Sequence, residues 1–192
     1  MSSLGVYFGP KLISIVETTG KKIITSARIL QSAVSGSELE ERVPAEVKAV
    51  EIVALFKEEL RRNKVAAKEA TICLSGKDLI IRTLEMPTLP REELRNAINF
   101  EAKKYIPFKV EDLVSDFQLK FDKLTRTNTV LFMGIKKEAL DKYLSIFNQL
   151  EIKVNSIEYS AFSLLRLFGL SGVGNKGIVG ILGVDLKLED ET

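Results

Sequence analysis

Apolar and polar positions change rhythm several times along this chain, and the changes mark its elements. Val6 to Phe8, Leu12 to Val16 and Ile23 to Leu30 alternate or run apolar between the Gly9-Pro10 and Thr18-Lys21 turns, which predicts a three-stranded meander. After the polar stretch 32–42, the spacing of Val47, Val50, Val53, Ala54 and Leu60 predicts a helix over Ala45 to Asn63 with those residues on its core face. Thr71 to Leu74 and Leu79 to Leu84 flank Ser75-Gly76-Lys77-Asp78 and read as a hairpin. Val114 to Phe121 and Thr129 to Ile135 read as paired strands, and Glu138 to Gln149 as a helix with Leu140, Tyr143, Leu144 and Phe147 along one side. Ile152 to Ile157 predicts a strand, Ser160 to Phe168 a helix, and Ile178 to Val184 a last apolar strand before an acidic tail.

The segment Met86 to Phe108 is the most informative. Pro90 suits the first position of a helix, where its missing N–H costs nothing, and Glu92 and Glu93 follow where the helix dipole favours negative charge. Pro107 stops that helix and pushes Ile106 toward an extended conformation. Leu94, Ala97, Ile98, Ala102 and Tyr105 share one arc, the face such a helix buries. Glu101 falls inside the arc, where an ionised carboxylate needs a partner, while Phe100 points away from it. Two readings follow: Glu101 leans out at the rim with Phe100 packed under a loop, or the helix borders a groove for another chain.

Composition narrows the chemistry. The chain has 192 residues, 45% of them apolar, and a net charge of +2, enough for a real core and too balanced to argue for nucleic acid. The basic cluster Arg61-Arg62-Asn63-Lys64 with Lys68 reads as a solvated helix end. There is no histidine, which removes imidazole catalysis and histidine-ligated metals, and the single Cys73 removes thiolate zinc clusters and dithiol chemistry. Cys73 itself reads as a buried strand residue in a reducing, cytosolic compartment. No signal peptide and no membrane-spanning stretch are predicted. Carboxylate pairs such as Asp112 with Asp116, or Glu189 with Asp190, read as lying in a loop and a tail, without the buried rigid setting that separates acidities. Gly172-Val173-Gly174-Asn175-Lys176-Gly177 has the letters of a dinucleotide fingerprint but follows a helix and precedes a strand, the inverse of the required context. Gly9-Pro10-Lys11 could cradle a phosphate only weakly, since Pro10 removes a donor. No catalytic residue and no metal site are predicted.

The run Met86-Pro87-x-Leu89-Pro90-x-Glu92-Glu93-Leu94, with Phe100-Glu101-Ala102 and Tyr105-Ile106-Pro107-Phe108, resembles the PilM family of type IV pilus assembly proteins, which is actin-like and related to FtsA. The opening Gly5-Val6-Tyr7-Phe8-Gly9 with Ile13 to Glu17 resembles that family's first phosphate-loop hairpin, and Val179 to Gly183 sits where its second begins. The resemblance implies an α/β, actin-like (ribonuclease H-like) subdomain with a mixed sheet, formed by residues 1–84 and 151–192. It also implies an α+β inserted subdomain over 85–150, with strand 178–184 as the start of a further domain. It implies a cytoplasmic component at the inner face of the inner membrane, peripheral to it through a partner. That partner is a PilN-like membrane protein, whose N-terminal cytoplasmic segment lies in a groove between the first subdomain and the insert. Phe100, Glu101, Lys104 and Tyr105 are then the expected partner-binding residues.

The departures concern the nucleotide. The family's two loops carry acidic, metal-organising residues where this chain has Tyr7 and Ile181, and a Mg²⁺-bound triphosphate needs such oxygen ligands. The expectation is therefore a binding protein, not an enzyme, with no ATP or Mg²⁺ cofactor. Two alternatives stand beside it: the cytoplasmic domain of a GspL-like type II secretion protein that binds the secretion ATPase, and an actin-like ATPase cut before its second domain.

Overall fold

In the computed structural model the described residues are 2–9, 12–30, 45–74, 79–107 and 109–170, with side chains at 45–49 and 168–170 left aside. The opening alternation builds three antiparallel strands, β1 (Ser2–Phe8), β2 (Leu12–Thr19) and β3 (Lys22–Leu30). Helix α1 (Ala45–Arg62) carries the chain to β4 (Glu69–Leu74), which runs parallel to β1. Late in the chain β8 (Lys153–Tyr159) adds parallel to β4, giving a mixed five-stranded sheet in the order β3-β2-β1-β4-β8.

One face of this sheet is apolar because alternate residues point the same way. Leu4, Val6, Phe8, Ile13, Ile15, Ile72 and Leu74 are buried against α1 and a second helix, α3 (Lys137–Gln149). Phe8, Phe56, Tyr143 and Phe147 form an aromatic group there, with Phe8 edge-on to Tyr143 at 5.0 Å and Phe56 edge-on to Phe147 at 6.1 Å. The core face of α1 is rotated from the expected one. Val53 and Phe56 are buried, whereas Val50 is 65% exposed and Ala54 faces solvent. Phe56 brings the larger apolar surface, so the helix turns toward it. Cys73 is half-buried rather than buried, since its place in β4 puts it on the opposite face from Ile72 and Leu74.

Both helices leave this core through left-handed residues that are not glycine. After α1, Lys64 has φ 52° and Val65 N–H donates to Leu60 O; after α3, Glu151 has φ 55° and Ile152 N–H donates to Phe147 O. Each is a six-to-one closure that satisfies a terminal carbonyl and folds an apolar residue back onto the helix. Glu17, 3% exposed on the core side of β2, accepts the Ala66 N–H at 3.2 Å and so ties the α1-to-β4 loop to the sheet.

The expected hairpin over 71–84 does not form. β4 lies in the five-stranded sheet, while β5 (Leu79–Pro87) pairs antiparallel with β7 (Thr127–Lys136) in a separate sheet. Apolar alternation shows that a strand exists and leaves its partner unspecified; here both neighbours of β4 are distant in sequence. β7 also pairs with β6 (Leu113–Asp122), giving a three-stranded sheet in the order β5-β7-β6. Helix α2 (Arg91–Ala102) covers one face of it, packing Leu94, Ile98 and Ala102 with Leu84, Met86, Val130 and Phe132.

The strands of this layer run from Leu79 to Lys136. The layer takes in β5 from Leu79, and α3 packs on the five-stranded sheet because Ile146 and Phe147 fit the aromatic group around Phe8. The described residues end with the apolar helix α4 (Ser160–Leu170). The expected strand over 178–184, the Gly172 to Gly177 loop and Ile181 lie outside the described residues.

Candidate functional site

The motif Met86 to Pro107 holds α2 at both ends. Pro90 stands one position before the helix, with its carbonyl accepting the Glu93 and Leu94 N–H groups at 3.1 and 3.2 Å. At the far end the helix tightens: Lys104 N–H donates to Glu101 O and Tyr105 N–H to Ala102 O, three residues back in each case. That exit carries Tyr105 off the expected face. It is 53% exposed, and Ile106 takes the buried position instead.

Glu101 is half-buried and its carboxylate accepts a 2.8 Å hydrogen bond from Lys104 Nζ. This hydrogen bond raises the Lys104 pKa above its ordinary value. The same ammonium lies 5.8 Å from the centroid of the Phe100 ring, within cation–π reach. Phe100 is 68% exposed, so it does not pack under a loop. The four expected partner-binding residues thus fall at the C-terminal end of α2, with Lys104 bonded to Glu101 and set over Phe100. Phe108 lies outside the described residues.

Phe100 also lines a groove of about 350 Å³ with Asn96, Asn99, Lys103, Val110 and Glu111. Its far wall is a short 3-10 turn, Val110–Asp112, fixed by the 2.6 Å Lys103–Glu111 ion pair and by Lys137 Nζ donating to Glu111 O. The bond from Lys103, with the backbone amide of Glu111 adding to it, holds the Glu111 carboxyl below its ordinary pKa. Glu101, Lys104 and Tyr105 are not among the groove's described lining residues. Lys103 and Glu111 escaped sequence reasoning because they are eight residues apart and meet only through the turn after Pro107. A second groove of about 560 Å³ runs along the other flank of α2, lined by Leu89, Arg91, Leu94, Arg95, Phe117, Leu119 and Asn128, with the Arg95 guanidinium 5.3 Å from the Phe117 ring centroid.

This chemistry suits binding. The Phe100 ring offers an apolar plane, Lys103 and Lys104 offer ammonium groups to a carboxylate or a backbone carbonyl, and Asn96 and Asn99 offer amides. The salt-bridged carboxylate of Glu111 and the paired ammonium of Lys104 are shifted toward their charged forms. Among the described residues no cluster of three or more metal-ligating side chains occurs. No helix among them is long and apolar enough to cross a membrane.

Tyr7 and Gly9 stand at the end of β1, where the resemblance sets the first phosphate loop. A Cβ on Gly9 would stand 2.8 Å from Tyr7 Cε1, so the Tyr7 ring lies directly over the loop glycine. The Gly9 N–H, a donor such loops offer to phosphate, is spent on Leu12 O at 3.0 Å.

A mixed five-stranded sheet carrying helices on one face, with a three-stranded layer between β4 and α3, places the molecule in the actin-like class. The chain belongs to the type IV pilus assembly protein PilM family, whose model matches residues 47–171. Among solved structures it is similar to a chain of the PilM-PilN type IV pilus biogenesis complex, with TM-score 0.71 and 22% identity over 88% of this chain and 50% of that one. It is also similar to the cytoplasmic domain of EpsL, an inner-membrane component of the type II secretion system of Vibrio cholerae, with TM-score 0.56 and 16% identity over 82% of this chain and 57% of that one. The chain thus spans about half the length of the solved structures it matches.

Proposed function

We propose that this chain serves as a scaffold in the inner-membrane platform of a type IV pilus, holding the N-terminal cytoplasmic segment of a PilN-like membrane protein. The observation that carries the reading is the exposed Phe100 ring, set between the Lys104 ammonium and the Asn96–Asn99–Lys103 groove in a chain of the PilM family. An apolar side chain of the segment stacks on Phe100, and its backbone carbonyls or an acidic group meet Lys103 and Lys104. Short peptides are bound in this way by a groove beside a helix. The cytoplasmic face of the inner membrane is the matching location.

The test is calorimetric titration of the full-length protein with a synthetic peptide carrying the N-terminal cytoplasmic segment of the PilN-like protein from the same genome. Saturable binding is expected, with Phe100→Ala weakening it by about tenfold or more, as for an aromatic anchor. Absence of binding to the unsubstituted protein sinks the partner assignment. Binding that Phe100→Ala leaves intact moves the site elsewhere.

The same reading makes the chain a binding protein without ATP turnover. Tyr7 in place of a carboxylate removes an oxygen ligand for Mg²⁺, and the occupied Gly9 amide removes a phosphate donor. Titration of the full-length protein with Mg-ATP is expected to show no saturation in the micromolar range; a micromolar or tighter complex contradicts this. The likeness to the EpsL cytoplasmic domain supports a second reading, a type II secretion component that binds the secretion ATPase. Capture of that ATPase in place of the PilN-like peptide decides for it.

A further inference from the structure

From the free edge of β6 we infer that two copies of this chain associate by antiparallel pairing of β6 with β6 of the second copy, centred on Gln118. The inference stands apart from the partner site at Phe100 and uses different residues.

Among the described residues β6 pairs with β7 and with no other strand. Its outer edge therefore presents backbone groups without a ladder partner, a ready template for another strand. One group shows the direction: the Phe117 N–H turns away from β7 and is held at 2.9 Å by the carboxylate of its neighbour Asp116. By the alternation of an antiparallel ladder, Ser115, Leu119 and Phe121 share that outward parity.

The sequence of the strand is self-complementary in one register. With Gln118 opposite Gln118 of the second copy, Asp116 faces Lys120 and Lys120 faces Asp116, so two opposite-charge cross-strand pairs form on one face. On the face shared with α2, Phe117 and Leu119 face each other across the seam, again twice, and Phe121 lies diagonal to Phe117. This covers the exposed Leu119, which lines the Arg95–Phe117 groove, and the exposed Phe121. The neighbouring register, centred on Leu119, sets Asp116 against Asp122 and is disfavoured. A shift that exchanged odd with even positions would bring the Asp116 face against the apolar one. On pairing, the Asp116 carboxylate leaves the Phe117 N–H to a carbonyl of the second copy and turns to Lys120.

A two-fold pair of this kind joins the sheets of two copies into one six-stranded sheet with both α2 helices on the same side. The occupant is a second copy because the charge pattern repeats in reverse about a single residue, as an isologous contact requires.

Sedimentation equilibrium of the full-length protein tests it. The unsubstituted protein is expected to show a concentration-dependent monomer–dimer equilibrium. Asp116→Lys and Lys120→Asp each place like charges opposite one another twice, and each alone is expected to weaken self-association by about tenfold. Mixed together, the two variants are expected to associate as a heterodimer with near-original affinity, and the double variant D116K/K120D to recover homodimerisation. A protein that stays monomeric at high concentration overturns the inference. So does a dimer indifferent to the single substitutions, or failure of both the mixture and the double variant to restore association.

Discussion

Phe147→Ala is expected to lower the unfolding free energy by about 3–5 kcal/mol, the range for removing a fully buried aromatic ring. Phe147 is completely enclosed, with Phe8 and Phe56 rings at 6.2 and 6.1 Å and both edge-on to it. Its loss opens a cavity bounded by β1, α1 and α3, which carry its ring neighbours Phe8 and Phe56 and Phe147 itself. The Phe147 carbonyl also accepts the Ile152 N–H that ends α3, so local relaxation is further restrained. Urea denaturation measures the effect: the midpoint falls while the slope, set by exposed surface, holds. A loss under about 1 kcal/mol would show that α3 repacks freely and that the aromatic group is not a fixed core.

The second large effect is expected at Ile98. It is fully buried at the centre of α2, between Leu94 and Ala102, where the helix meets the three-stranded sheet. Ile98→Ala is expected to cost about 2–5 kcal/mol. Ile98 and Phe147 belong to separate cores, so the two substitutions together are expected to add within about 0.5 kcal/mol. Hydrogen exchange separates them: Ile98→Ala speeds exchange of α2 and β6 amides and leaves β1, β2 and β4 at their original protection. Uniform acceleration throughout would mean that the two layers unfold as one unit.

Local periodicity revealed the elements well, because each strand and helix buries one face and writes that face into its own residues. The meander over β1 to β3, the β6–β7 hairpin and α3 follow from the sequence for this reason. What failed involved choices between distant partners. Leu79 to Leu84 reads equally well as a partner for Thr71 to Leu74 or for β7, and only the fit of Leu84 against Val130 and Ile98 decides it. Val50 and Phe56 lie on different faces of α1, and the larger Phe56 decides which face is buried.

At the candidate site, Glu101 needed a partner on burial grounds alone, and Lys104, three residues on, supplies it. The exposure of Phe100 was one of two open readings. Tyr105 followed the helical arc on paper, but the helix tightens before Pro107 and releases it. Lys103 and Glu111 had no sequence signature, since their pairing depends on where the chain turns after the proline.

The entry and exit of the three-stranded layer lie side by side. Leu79, where the chain enters, is the cross-strand partner of Ile135, where it leaves. This bears on how quickly the molecule assembles. β4 must find β8 across a long detour; Thr71 and Ser156, hydrogen-bonded neighbours in the finished sheet, are separated by 85 positions. If β5, β6 and β7 assemble first, the detour is bridged by one strand spacing and the remaining loop shortens about threefold, reducing the closure penalty by about 1 kcal/mol. In that order of events the layer that bears the proposed partner site is a clasp. Lengthening the β6–β7 turn, beyond the clasp, leaves that closure distance unchanged.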